Sequence, residues 1–111
     1  GAKVLETERH VVNEAMGYEG PLDAIVDVHG TPYSCDWKGG VEQPWHSIQL
    51  AAYTLALAAE RPGMILPCRA NLYLDAEGKP AKFVMRKDRS DFEVFKAVVT
   101  VGHFKVKHGL E

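Results

Sequence analysis

Asp23, Asp36 and Lys38 lie on two short segments with strand-like alternation, and Gln49 and Tyr53 stand four residues apart in the helical stretch that follows. Such a set suits metal-assisted hydrolysis of a phosphodiester. A hard divalent cation held by carboxylates acts as a Lewis acid on the phosphate and lowers the pKa of a bound water. Magnesium takes one or two carboxylates and keeps waters and substrate oxygens in its other positions, so Asp23 and Asp36 suffice as a ligand pair. The peptide carbonyl of Trp37, between Asp36 and Lys38, is a further candidate ligand. Lys38 shares a strand face with Asp36, where it reaches the attacking water or a phosphate oxygen. Flanking carboxylates favour its charged form, which suits electrostatic stabilisation and water positioning rather than general-base work. Gln49 and Tyr53 project from one helical face, the amide to orient a carboxylate or phosphate, the phenol to donate to a phosphate or stack on a base. Singly, each signal has a plainer reading. Asp36 and Lys38 are also what a surface ion pair looks like, Asp23 adjoins Pro21 as turn residues do, and Gln49 and Tyr53 are ordinary solvent and core residues of a helix.

The elements that must position this set follow from periodicity. Residues 6–13 alternate, with Glu8, His10 and Val12 opposite Thr7, Arg9 and Val11, and predict a first strand. A bend is expected over 13–20, and a second strand over 22–28, with Leu22, Ala24, Val26 and Val28 opposite Asp23, Ile25 and Asp27. His29-Gly30-Thr31-Pro32 turns the chain into a third strand over 33–38, where Tyr33, Cys35 and Trp37 oppose Ser34, Asp36 and Lys38. Pro44 opens a helix that Pro62-Gly63 stops near Arg61, its Ala- and Leu-rich run 50–59 having high helix propensity. Residues 65–74 and 81–85 read as a hairpin around 75–79. Ser90 with Glu93 has the spacing of a capping box for a last helix, on which Phe92, Phe95 and Val99 share a face.

With 111 residues, 46% of them hydrophobic, the chain fits a single domain over 1–111 with one core. It contains no apolar run near the roughly 20 residues of a membrane-spanning helix and no signal-peptide layout at its start, so a cytoplasmic setting without membrane contact is expected. Cys35 and Cys68, the two cysteines, suggest neither a zinc site nor a disulfide and are expected to be buried thiols. The net charge of −2 is unevenly spread: residues 1–78 carry five Lys/Arg against eleven Asp/Glu, and residues 79–111 carry eight against four. An acidic cluster for a cation with basic groups farther out for phosphates is one reading of that asymmetry, and a solvated basic tail around Arg86-Lys87-Asp88-Arg89 is the other.

Gly20-Pro21-Leu22-Asp23, then Asp36-Trp37-Lys38, then Gln49-Leu50-Ala51-Ala52-Tyr53 resembles the PD-(D/E)XK nuclease superfamily, and within it the RecB-like and phage-type exonucleases with a Gln-X-X-X-Tyr motif. The resemblance covers about residues 8–60. It implies a restriction-endonuclease-like α/β (α+β) core with a mixed central sheet flanked by helices, and a Mg²⁺- or Mn²⁺-dependent DNase of recombination, repair or phage DNA processing. DNA is the implied partner, with a homo-oligomer or a larger repair complex as the assembly. Asp23 and Asp36 match the metal-binding acids, Lys38 the catalytic lysine, and Gln49 and Tyr53 the added motif. The family often has another acid upstream, for which Glu8 is the candidate, as both a catalytic and a metal residue, and Glu14 the rival. His10 and His46 are lesser candidates, as a strand packing residue and a phosphate contact. Two features depart from the pattern. The helical segment with a further histidine that usually precedes this core is missing, which makes the chain a minimal or N-terminally truncated version, and Gly39 replaces a hydroxyl residue after the lysine. Two cysteines cannot hold the iron-sulfur cluster of some members.

Overall fold

A computed structural model describes residues 2–63, 67–74, 77 and 82–110. It gives the protein an α+β architecture, a five-stranded mixed sheet flanked by two helices. The elements are β1 (Ala2–Asn13), β2 (Tyr18–Val28), β3 (Thr31–Gly39), α1 (Trp45–Glu60), β4 (Cys68–Leu74), β5 (Lys82–Met85) and α2 (Ser90–Lys107). Sheet order follows chain order, and every pairing is antiparallel except β3 with β4, which α1 joins as a parallel crossover.

Both hairpins in the first half have a local cause. Asn13 Oδ1 accepts from the Met16 N–H at 3.1 Å, and the Gly17 N–H closes on the Asn13 carbonyl at 2.9 Å, so the turn is tight and β2 starts at Tyr18 rather than after Gly20. His29 and Gly30 both have positive φ, 51° and 85°, and link the paired Val28 and Thr31 as a two-residue turn of the primed type. Of the segments expected beyond the helix, residues 64–66, 75–76 and 78–81 lie outside the described residues, and the strands there span Cys68–Leu74 and Lys82–Met85.

α1 lies on the sheet because its inward residues are small or aliphatic. Ala51, Ala52 and Ala56 let it approach closely, and Leu50, Ala56 and Leu57 pack with Val11, Leu22 and Ile25 into the main core. A second cluster of Ala24, Cys35 and Ala70 forms on the sheet's other face, with Val26 and Tyr33 against it. α2 packs on α1 rather than on the strands. Phe92 is its most buried residue, and Phe95 meets Tyr18 edge-on at 4.8 Å between ring centroids, while the Tyr18 hydroxyl donates to the Ala52 carbonyl at 2.6 Å. Among the described residues no helix is long and apolar enough to cross a membrane.

Four expectations are corrected. Leu22 does not share a face with Ala24: it joins Ile25 in the core beneath α1, while Ala24 belongs to the opposite cluster. The alternation of β1 breaks at the same level, since Thr7 pairs with Ala24 and Arg9 with Leu22. The cause is Glu8, whose φ of 51° takes it out of strand geometry opposite Asp23, so neither residue joins the ladder. Ser90 does not cap α2 through its side chain. It sits inside the first turn, where Asp88 Oδ1 accepts the Ser90 N–H at 2.9 Å, and the Ser90 side chain first and this N–H second hold the Asp88 carboxyl below its ordinary range. Cys68 is exposed, because it opens β4 at the sheet's rim, whereas Cys35 is buried as expected and its thiol is pushed up to about 11 by burial and by Asp36.

Candidate active site

Three elements meet where β2 and β3 part. Their pairing ends at Ala24 with Cys35, and beyond it Asp23 turns to accept the Trp37 N–H through Oδ2 at 2.7 Å. The N–H and C=O of one residue in an extended strand leave by the same edge, so the Trp37 carbonyl also lies on the β2 side of β3. Asp23 is also near enough to Asp36 to help raise its pKa.

From there a polar path runs onto α1. Lys38 Nζ is 3.0 Å from Asp36 Oδ2 and donates to Gln49 Oε1, and Gln49 Nε2 donates to the Tyr53 hydroxyl at 3.1 Å. The period of two that set Asp36 and Lys38 together and the helical turn that set Gln49 and Tyr53 together therefore converge on one site. Gly20 completes it from β2. A Cβ at that position would overlap the Tyr53 ring, so only glycine lets the helix bring the phenol against this strand. Gly20→Ala is expected to displace Tyr53 and cost about 1–3 kcal/mol, the usual range for overpacking, read as a lower urea midpoint with the denaturant slope unchanged.

The electrostatics are those of a site short of positive charge. Asp36 is buried, and its pKa is raised to about 6, first by loss of solvent and then by the hydrogen bond with Asp23, against the pull of Lys38. Its Oδ2 receives no hydrogen bond among the described residues, since the Lys38 ammonium approaches it outside hydrogen-bonding angles. The sign for stability is definite. An acid whose folded pKa lies above its ordinary 3.8 stabilises the fold fully below that value and loses the contribution as pH rises through 6. Chemical denaturation without divalent cations should show unfolding free energy falling by on the order of 2–3 kcal/mol from this group between pH 4 and 7. The same titration of Asp36→Asn should lack that fall.

The remaining candidates are placed elsewhere. Glu8 stands opposite Asp23 in register, but its left-handed backbone leaves the side chain exposed, and among the described residues no three His, Cys, Asp or Glu side chains gather as a metal group. Glu14 is exposed in the first turn, and His10 faces Glu19 at 3.6 Å near the turn end of the β1–β2 hairpin. His46 is buried: its Nδ1 accepts the Gln43 N–H at 3.2 Å and lies 2.8 Å from the Tyr73 hydroxyl, and burial holds its pKa below the usual histidine value. It belongs to a second polar row that sequence reasoning missed. Asn71 is the β4 partner of Asp36 and Tyr73 that of Lys38, and Arg86 donates to both, at 2.9 and 2.6 Å, while pairing with Glu42 at 2.9 Å. The signal for this row was the polar spacing of two in Arg69, Asn71 and Tyr73, all on the face beneath α1.

No protein-family model and no curated protein matches the chain. Among solved structures, it is similar to the crystal structure of SSO0001, with a TM-score of 0.52 at 17% identity, over 99% of this chain and 52% of that one. The likeness is one of fold. The chain spans about half the length of that protein.

Proposed function

We propose that the chain is a Mg²⁺- or Mn²⁺-dependent DNA nuclease of the PD-(D/E)XK superfamily, on its RecB-like or phage-type exonuclease branch, acting in recombination, repair or phage DNA processing. The observation that carries this reading is the continuous path from Asp23 and Asp36 through Lys38 and Gln49 to Tyr53, built by residues far apart in sequence. The donors fit a hard cation. Asp36 offers a buried carboxylate oxygen without a hydrogen bond, Asp23 a second carboxylate, and Trp37 a carbonyl on the same strand edge. A divalent cation there supplies Lewis acidity and a more acidic bound water. The chain's own residues do the rest. Lys38 places positive charge where the phosphate becomes more negative, Gln49 fixes the ammonium, and the Tyr53 hydroxyl, held by the Gln49 amide, stands at the outer end of the path to meet a phosphate or base. Glu8 remains an outer acid in this scheme, opposite Asp23 and without an assigned contact.

The test is incubation of linear duplex and single-stranded DNA with Mg²⁺, Mn²⁺ or EDTA. Cleavage is expected with the metals and not in EDTA. Cleavage that persists in EDTA removes the proposal. A second reading, a nuclease-like fold that binds DNA or assembles a larger complex without turnover, is favoured by one observation: Lys38 is already engaged by both Asp36 and Gln49. DNA binding without cleavage under any divalent ion would select it.

A further inference from the structure

On its β3–β4 half the sheet is more polar beneath α1 than on its other face. Residues paired laterally share a face, so the register sorts the strands into rows. On β3 and β4 the rows beneath α1 are polar, Ser34 beside Arg69, Asp36 beside Asn71 and Lys38 beside Tyr73, while Val11, Leu22 and Ile25 of β1 and β2 supply the apolar core there. The rows on the bare side are Val4, Val26, Tyr33 and Cys68; then Thr7, Ala24, Cys35, Ala70 and Met85; then Trp37, Leu72 and Phe83. None of these residues is charged, and only at the Tyr33, Cys68 and Met85 end does Phe92 of α2 share a cavity with them. A sheet face left to water normally alternates to polar side chains, and this one does not.

We infer that the bare face is the interface with a second copy of this chain, the two sheets packing face to face about 10 Å apart. Two observations favour that occupant. The first is area. Val4 is 57% exposed, Leu74 50%, Phe83 48%, Met85 45% and Trp37 39%. With large aromatic side chains spanning roughly 150–250 Å², each leaves on the order of 80–100 Å² in water. Adding half-buried Val26, Tyr33 and Leu72 brings the patch to the upper end of the roughly 300–600 Å² seen on monomers and toward the ~800 Å² per partner of a stable interface. The second is charge. A two-fold interface sets a patch against itself, and the rows themselves hold no charged residue, with Arg86, Lys87 and Arg89 bordering only their Tyr33, Cys68 and Met85 end.

The inference is independent of the nuclease reading, because its test reads mass. Sedimentation equilibrium should give twice the 12.3 kDa chain mass at tens of micromolar, with Trp fluorescence shifting to the blue as concentration rises. Phe83→Glu and, separately, Met85→Glu should weaken association by about 100-fold or more while circular dichroism stays unchanged. Val98→Glu, on the exposed side of α2, should leave the dimer intact. A chain of single mass at about 100 μM overturns the inference and assigns the face to a different polypeptide. So does a dimer that Val98→Glu splits and Phe83→Glu and Met85→Glu do not.

Discussion

Asp36→Asn is expected to lower metal-dependent DNA cleavage by about 10³-fold or more and, at pH 7 without metal, to raise the urea midpoint. The two effects have one cause. The carboxylate is buried, next to Asp23, with a pKa near 6, so the folded protein holds at neutral pH a charge it solvates poorly. An amide of the same shape removes that charge, and stability rises as it does when strain at an active site is relieved. Cleavage falls because one of two carboxylates is lost from a site with no third acid among the described residues. Steady-state cleavage and urea titration on the same preparation separate the outcomes. A variant that loses activity because it unfolds has a lower midpoint, and retained cleavage shows that Asp36 takes no part in the chemistry. Lys38→Met should lose activity comparably without the gain in stability, because it removes the cation and leaves Asp36 with Asp23 alone.

Sequence periodicity made the chemistry legible to the extent that it was local. Asp36 with Lys38 needs only a strand, and Gln49 with Tyr53 needs only a helical turn. That the pairs meet depends on how α1 crosses from β3 to β4, and the close approach of Gly20 to Tyr53 shows the cost of that meeting only in three dimensions. The strand expected over 22–28 had the right bounds at its end and the wrong faces at its start. Face assignment by alternation assumes an unbroken ladder, and the ladder breaks because Glu8, on the neighbouring strand, takes a conformation no pattern in residues 6–13 signals. The polar row of Arg69, Asn71 and Tyr73 was written in the sequence at a spacing of two, but its partners, Asp91, Arg86 and His46, come from other elements. A buried charge looks the same as an exposed one until its partner is placed.

Arg69 carries the second large expectation. Arg69→Met should cost about 3–5 kcal/mol in urea unfolding, while Arg69→Met combined with Asp91→Leu should recover most of the loss. The guanidinium is almost wholly buried. Nη1 donates to Asp91 Oδ2 at 3.0 Å and to the Ser47 carbonyl at 3.3 Å, Nη2 donates to the Asp88 carbonyl at 2.8 Å, and the group lies 4.5 Å from the centre of the Phe92 ring. One side chain on β4 thus holds the start of α1, the turn before α2 and the first turn of α2. Since α2 packs mainly on α1, this arginine and the Phe95–Tyr18 ring contact are what tie it to the sheet. Losing the arginine alone leaves the Asp91 carboxylate buried without its cation and frees the Ser47 and Asp88 carbonyls, and the uncompensated charge is the larger penalty. Removing both charges exchanges a buried ion pair for apolar packing, which is close to neutral, so a double-mutant cycle distinguishes a paired charge from a residue that matters only for its volume. Amide exchange locates the damage. In Arg69→Met, protection should fall first along α2 while β2 and β3, held by Leu22, Ile25 and the α1 core, keep theirs.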